Sequence, residues 1–299
     1  MSLPPVIAAD LGGTFLRTGV VTSDRVVVHA AVRPVGDRRG NAAIGAFLAG
    51  ALRDAFLAAR SRSLEPSAVG LAIPGLVDPA AGVLRYSGNL DVRDLPVAAI
   101  VREAVPLPVV LDNDVRAAAW GEWKWGAGQG TRAMLYLSAG TGIAAALIWS
   151  GHPYYGAGGA AGELGHALVV PGGDLCRCGR RGCLETVAGG WGIARRAEKP
   201  TAETVFEAAA AGDPRARAVL EDARRFLGMA AVTAVRLWNP DCVVLGGGLL
   251  HARSPLIAAV HDAIGRSALS GEEPPPVRPA VFEARSGLVG AACLALDPP

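Results

Sequence analysis

The sequence predicts an α/β protein built from two related halves. Short apolar runs alternate with longer stretches whose apolar residues recur every three to four positions, the pattern of strands alternating with helices. A strand, a Gly/Thr turn and a second strand open the chain (VIAADLGGTFLRTGVV), and the same outline returns at AMLYLSAGTGIAAALIWSG. That recurrence suggests duplication of one α/β unit. Gly-rich turns also stand at predicted strand ends: DLGGT (10–14), SAGTG (138–142) and LGGGL (245–249).

The elements follow in order. VIAAD (6–10) is an apolar strand entering a Gly-Gly turn, and residues 17–32 read as a hairpin split at Ser23-Asp24. Between 41 and 62, Ile44, Phe47, Leu48, Ala51, Leu52, Ala55 and Phe56 keep the helical period. AVGLAIPG and LPVVLDND are buried strands, and a helix over 115–125 starts directly after Asp114. AMLYLSAGTG (133–142) reads as an apolar strand running into a Gly-Thr turn, and IAAALIWSG as a second strand. Beyond them lies a helix capped by Thr201 and stopped at Gly212-Asp213, then a long helix with Pro214 at its start and Asn239-Pro240 at its end. DCVVLGGG reads as a strand, 255–268 as a helix, GEEPPPVRP as a loop, AVFEA as a strand, and SGLVGAACLAL as a terminal helix.

Composition narrows the function classes. A chain of 299 residues fits one large or two medium domains, and 51% hydrophobic content supplies a sizeable core. With 29 basic and 27 acidic residues there is no electrostatic footprint for nucleic acid or an anionic membrane. The N-terminus has no basic n-region and no long apolar h-region, so no signal peptide is expected. No window reaches about 18 uninterrupted apolar residues, so no membrane span is predicted either. The expected compartment is the reducing cytoplasm, where clustered cysteines favour metal over disulfide. Cys242 and Cys293 lie in apolar segments and read as core.

Several residues carry chemistry. Gly turns let backbone N–H groups approach phosphate oxygens, and Thr adds a hydroxyl. No G-x-x-x-x-G-K-[ST] or G-x-G-x-x-G run is present, which excludes a P-loop and weakens a dinucleotide reading. Asp10, just before the first turn, suits a water-bridged Mg²⁺ or caps its own turn. In LDNDVRAAAWGE, Asn113 and Asp114 join a strand end to a helix start. A carboxylate there stays ionised beside the helix dipole and suits a base that accepts a hydroxyl proton, with Asn orienting that hydroxyl. Either residue could instead be a simple N-cap, and Asp112 is the competing carboxylate. ELGHALVVPGGDLCRCGRRGCLE places His166, Cys176, Cys178 and Cys183 in one short segment bounded by Glu163 and Glu185. A structural metal knot, a catalytic metal centre and a merely Cys-rich loop are all open on these residues alone.

DLGGT, NDVRAAAWGE, SAGTGI, GAAGELGH, CRCGRRGCLE and VVLGGGL, in this order, resemble the sugar kinases of the ROK family, most closely its bacterial glucokinases. The resemblance implies the actin-like, hexokinase-like fold, two α/β domains with a cleft between them. The expected division is a small domain over 1–114, joined by a terminal helix near 286–297, and a large domain over 115–285. It implies ATP with Mg²⁺ near Asp10 and on the turns Gly12, Gly13, Thr14, then Gly140, Thr141, Gly142, then Gly247. Asp114 becomes the base, and Asn89, Asn113, Asp114, Glu163, His166 and Glu185 become sugar ligands. His166, Cys176, Cys178 and Cys183 become a closed structural Cys₃His zinc site, with the second ring nitrogen of His166 facing the sugar. A homodimer is implied as well.

The expected reaction is ATP-dependent phosphorylation of glucose. N-acetylmannosamine, N-acetylglucosamine, mannose, fructose or a cyclitol are alternatives, because LDVRDLP replaces the family's usual stretch after Asn89 in a loop that lies near the sugar in the family. Ala144–Ala146 stand where many members carry further glycines, which would narrow the nucleotide approach. A repressor of the same family is disfavoured, since the first turn begins at residue 10. A sugar-binding pseudokinase is disfavoured by Asp10 and Asp114.

Overall fold

A computed structural model describes residues 4–250 and 254–299. The first three residues of the N-terminal stretch read above, and residues 251–253, lie outside that description. The chain divides into two compact units. One comprises Met1–Gly126, Tyr155–Ala160 and Arg285–Pro299; the other comprises Ala127–Tyr154 and Ala161–Ala284. The division falls after Gly126 rather than after Asp114, because the helix that begins at Asp114 packs on the terminal helix of the first unit.

The first unit is built on strands β1 (Val6–Leu11), β2 (Phe15–Val21), β3 (Val27–Pro34), β4 (Val69–Ile73) and β8 (Val109–Asn113), in sheet order β3-β2-β1-β4-β8. β1 to β3 form an antiparallel meander, whereas β1, β4 and β8 run parallel. Helix α1 (Asn41–Arg60) buries Ile44, Leu48, Ala51, Leu52 and Ala55, one stripe at helical spacing. Among the described residues, α1 alone is long and apolar enough to cross a bilayer, but that stripe is part of the first unit's core together with Leu16 and Leu71. A second, three-stranded sheet, β5 (Leu76–Asp78), β6 (Val83–Ser87) and β7 (Val92–Leu95), leads into α2 (Val97–Ala104). Part of LDVRDLP is therefore strand β7, not loop. The unit closes with α3 (Asp114–Trp125) and the terminal helix α9 (Ser286–Leu296). These two pack closely, since a Cβ on Gly290 would sit 2.2 Å from Ala117 O.

The second unit repeats the topology. Its strands β9 (Ala133–Ala139), β10 (Ile143–Trp149), β11 (His152–Pro153), β12 (Cys242–Gly246) and β13 (Val277–Pro279) lie in the order β11-β10-β9-β12-β13. Here too an antiparallel hairpin heads the sheet, and the later strands run parallel to its first strand. The expected strand AVFEA is not formed; Val277–Pro279, within the presumed loop, pairs instead. Val243 lies opposite Val277 and Leu245 opposite Pro279. Proline is tolerated there because β13 is the sheet edge.

Helices α4 (Glu185–Ala188), α5 (Gly190–Arg196), α6 (Ala202–Ala210), α7 (Pro214–Trp238) and α8 (Pro255–Arg266) complete the unit. Thr201 caps α6 within a capping box, and Asp213 caps α7 by accepting the Arg215 and Ala216 amides. Asn239 ends α7 in the left-handed conformation at φ 42°.

Candidate active site

In the first unit the candidate residues cluster where β8 runs into α3. Asn113 is the N-cap: its Oδ1 accepts the amides of Val115 at 3.0 Å and Arg116 at 3.2 Å. Its Nδ2 donates to Gly75 O at 3.0 Å, which leaves the carboxamide one N–H for a ligand. Asp114 is half-buried in the first turn, with Oδ1 accepting the Val115 amide at 3.0 Å.

The two neighbouring carboxylates differ in kind. Asp112 is buried, and its Oδ1 takes the Asn113 amide at 2.6 Å and Arg116 Nε at 2.8 Å. Its Oδ2 accepts from Tyr155 Oη at 3.2 Å. Burial pushes the Asp112 carboxyl up, and the Arg116 guanidinium pulls it back. Arg116 in turn donates to Gly159 O at 2.9 Å and lies 5.0 Å from the Tyr155 ring centre. Asp112 is therefore spent on internal partners, and Asp114 is the carboxylate at the surface of the site. Sequence reasoning missed Arg116 and Tyr155. Arg116 had a signal, since it stands one helical turn after Asp112; Tyr155 had none.

Asp10 is the penultimate residue of β1, with Arg17 Nη1 3.6 Å away on the paired strand. Burial raises the Asp10 carboxyl and Arg17 opposes that shift. The turn behind it is closed by the Gly12 amide donating to Phe15 O at 2.8 Å, while Gly13 and Thr14 face outward. Asn89 lies exposed in the turn between β6 and β7.

In the second unit the other two Gly turns meet. The Leu249 amide donates to Ala139 O at 2.9 Å, and Gly140 N–H closes its own turn on Gly142 O at 2.9 Å. Gly247 has φ +89° and a Cβ there would stand 2.4 Å from Ala139 O, so only glycine fits. Thr141 is exposed at the tip. Glu185 reaches this turn from α4, its Oε2 accepting the Ile143 amide at 2.9 Å.

The GELGH segment lies against β10. Ala145 N–H donates to Gly162 O at 2.7 Å, and a Cβ on Gly165 would be 2.2 Å from Ile143 O. The short 3₁₀ turn Leu164–His166 then presents His166 to the cysteines. Its Nδ1 is 3.7 Å from Cys176 Sγ, and Cys178 Sγ is 3.6 Å from Cys183 Sγ. The four ligand atoms all lie within 4.8 Å of one another. Tetrahedral zinc with Zn–S near 2.3 Å separates sulfurs by about 3.8 Å, so the set fits such an ion. A tight knuckle makes the arrangement: the Cys176 amide donates to Arg180 O at 2.8 Å, and Gly179 N–H to Cys176 O at 3.0 Å. Burial pushes the Cys183 thiol up to about 12. Burial also acts upward on Cys178, but the Arg180 amide and the other thiols outweigh it and draw that thiol down to about 7. His166 Nε2 points away from the sulfurs, 3.7 Å from Glu163 Oε2.

Two α/β units of one topology, each headed by a Gly/Thr turn, define the fold of the actin-like, hexokinase-like phosphotransferases. The family model for the ROK family matches residues 6–298. The chain is 33% identical to the glucokinase of Halalkalibacterium halodurans, over 85% of this chain and 83% of that one. The ROK hexokinase from Thermus thermophilus aligns with a TM-score of 0.82 and 36% identity, covering 97% of both chains. The ROK family glucokinase from Streptomyces griseus, solved in complex with glucose and AMPPNP, aligns with a TM-score of 0.80 at 29% identity. That alignment covers 97% of this chain and 99% of the other. The chain belongs to the ROK family, and within it to the sugar kinases.

Proposed function

We propose that the chain is an ATP-dependent glucokinase, forming glucose 6-phosphate and ADP. The observation that supports this most is Glu185, a carboxylate suited to sugar hydroxyls, hydrogen-bonded to the Ile143 amide of a phosphate-type turn. In this reading one hydrogen bond ties a sugar ligand to a nucleotide-binding turn. The similarity to a glucokinase crystallised with glucose and an ATP analogue supports the same reading.

In this reading Asp114 accepts the proton of the attacking sugar hydroxyl while the γ-phosphoryl group transfers in line. Asp114 lies in the first turn of α3, where the helix dipole favours a negative charge. Asn113, already held by its cap and by Gly75 O, offers its remaining N–H to the sugar. Asn89, Glu163, His166 Nε2 and Glu185 bind the other hydroxyls. Gly13, Thr14, Thr141, Gly142 and Gly247 would offer backbone N–H groups and hydroxyls to the phosphates, Gly12 and Gly140 would close the two turns that present them, and Asp10 would hold Mg²⁺. Mg²⁺ supplies charge neutralisation on the phosphate oxygens. His166, Cys176, Cys178 and Cys183 would hold a zinc ion, which would supply a structural brace to the knuckle. With His166 Nδ1 facing the cysteines, its Nε2 is the nitrogen that would serve the sugar.

A second reading, the same chemistry on another sugar, is favoured by Val92–Leu95. There this chain departs from the family pattern and forms a strand just after Asn89. Release of ADP from Mg-ATP with glucose, mannose, fructose, N-acetylglucosamine or N-acetylmannosamine separates the two. Highest kcat/KM on glucose supports the first reading. Highest turnover on another sugar replaces glucose but keeps the mechanism, and no turnover on any of them removes the glucokinase reading.

A further inference from the structure

Glu185 is held on both oxygens, and one of its donors belongs to no motif in the sequence. Oε2 accepts the Ile143 amide at 2.9 Å, and Oε1 accepts the indole N–H of Trp191 at 2.7 Å. Trp191 is itself clamped. Its backbone N–H donates to Thr141 O at 3.2 Å, and the preceding Gly190 N–H to Gly140 O at 2.8 Å. The guanidinium groups of Arg177 and Arg195 lie 4.9 Å and 5.2 Å from the ring centre. Arg177 sits inside the cysteine knuckle, and Arg195 pairs with Asp174 of the same segment at 2.9 Å. One indole therefore ties the Gly/Thr turn, the cysteine knuckle and the Glu185 carboxylate together.

We propose that Trp191 is a positioning residue for sugar binding: its indole N–H fixes the carboxylate plane of Glu185, and its stacked ring links that carboxylate to the cysteine knuckle. The inference rests on the assignment of Glu185 as a sugar ligand. A carboxylate accepting two N–H bonds in one plane has a single orientation, and it points its remaining lone pairs in fixed directions. With only the Ile143 amide left, the group is free to turn about that bond, and part of the sugar's binding is lost to reordering it. Phenylalanine at 191 keeps the packing and the stacked guanidinium groups but removes the donor.

The test is a double-mutant cycle read by equilibrium sugar binding and by steady-state kinetics on the full-length, metal-loaded chain. Calorimetric titration with glucose, or with whichever sugar of the panel is turned over best, gives Kd for wild type, Trp191→Phe, Glu185→Gln and the double variant. Trp191→Phe is expected to raise the sugar Kd and KM about three- to tenfold, the cost of reordering one side chain on binding. The KM for ATP and the metal content should stay unchanged, and the thermal midpoint should fall only by the loss of one hydrogen bond. Glu185→Gln is expected to weaken binding further, because a carboxamide has one acceptor oxygen and the site presents two N–H donors.

The decisive arm is the double variant. Removing the indole donor relieves that clash, so Trp191→Phe should leave Kd unchanged or improve it when combined with Glu185→Gln. Two independent losses that multiply, or an unchanged sugar Kd in Trp191→Phe, would overturn the role of Trp191 while leaving Glu185 as a sugar ligand. An unchanged Kd in Glu185→Gln, or no sugar binding by wild type, would overturn the sugar-site assignment and Trp191 with it.

Discussion

At the scale of single residues, the β8–α3 junction shows how two adjacent carboxylates acquire different work. Asp112 points inward to Arg116, Tyr155 and the Asn113 amide, whereas Asp114 stands in the first helical turn. Substituting each should therefore fail differently. Asp114→Asn is expected to lower kcat by about 10²–10⁴ with an unchanged circular dichroism spectrum and thermal midpoint. Asp112→Ala strands the buried Arg116 guanidinium and should cost about 3–5 kcal/mol of stability, measured by urea unfolding. A variant of Asp114 that keeps more than half of the activity would remove it as the base. The position of Asp114 was legible in NDVRAAAWGE, because an acid just inside a helix start is a local pattern. The network around Asp112 was not, because Tyr155 lies 43 residues away and only folding brings it near.

At the scale of elements, helix ends and helix contacts carry separate predictions. The cap of α7 rests on Asp213, whose carboxyl is held below the usual range by the Ala216 amide, and also by Lys199 and the Arg215 amide. A depressed carboxyl contributes stability that is fully present above its unfolded value, near 3.8, and is lost as pH falls through the lowered one. Asp213→Asn should accordingly unfold at a lower temperature than wild type at pH 6, and the gap should narrow towards pH 3. The packing of α9 on α3 and the parallel strands makes a different demand. A Cβ on Gly290 would meet Ala117 O at 2.2 Å, and one on Gly70 would meet Ala291 O at 1.8 Å. Gly290→Ala must push α9 away from α3, at about 1–3 kcal/mol. A midpoint equal to wild type in denaturant unfolding would show that the helix contact is looser than this.

Most elements could be read from the chain because their signals are local. α1 has its apolar stripe, α6 its Thr201 cap, and α7 its Pro214 start and Asn239 stop. The errors lie where pairing partners decide. Val277–Pro279 is a strand because β12 offers it an edge, although its own sequence is proline-rich. Val92–Leu95 is a strand because β6 pairs with it, although it reads as a polar loop.

At the scale of the whole molecule, two units carry one topology, and the cysteine knuckle belongs to the second of them alone. Removing the zinc proposed for it should act locally. After dialysis against a strong chelator, amide exchange is expected to rise through 163–191, while α1 and the β1–β4 pair keep their protection. A parallel loss of protection in α1 would show instead that the metal stabilises the entire chain. Because zinc binds thiolates, metal should be released more readily as pH falls and protons compete for the sulfurs.

The sequence by itself determined the α/β class, the repeated strand–turn–strand heads, the family, and the clustering of one histidine and three cysteines in the knuckle. Those depend on residue types at short spacings: glycines in turns, an acid after a strand, three cysteines and a histidine in one segment. Only the tertiary structure decided which carboxylate is buried, where the edge strands fall, where the units divide, and that Trp191 holds Glu185. Each of these depends on which distant surfaces share one desolvated space. There a single hydrogen bond or a missing Cβ sets the outcome, and no local pattern in the chain records it.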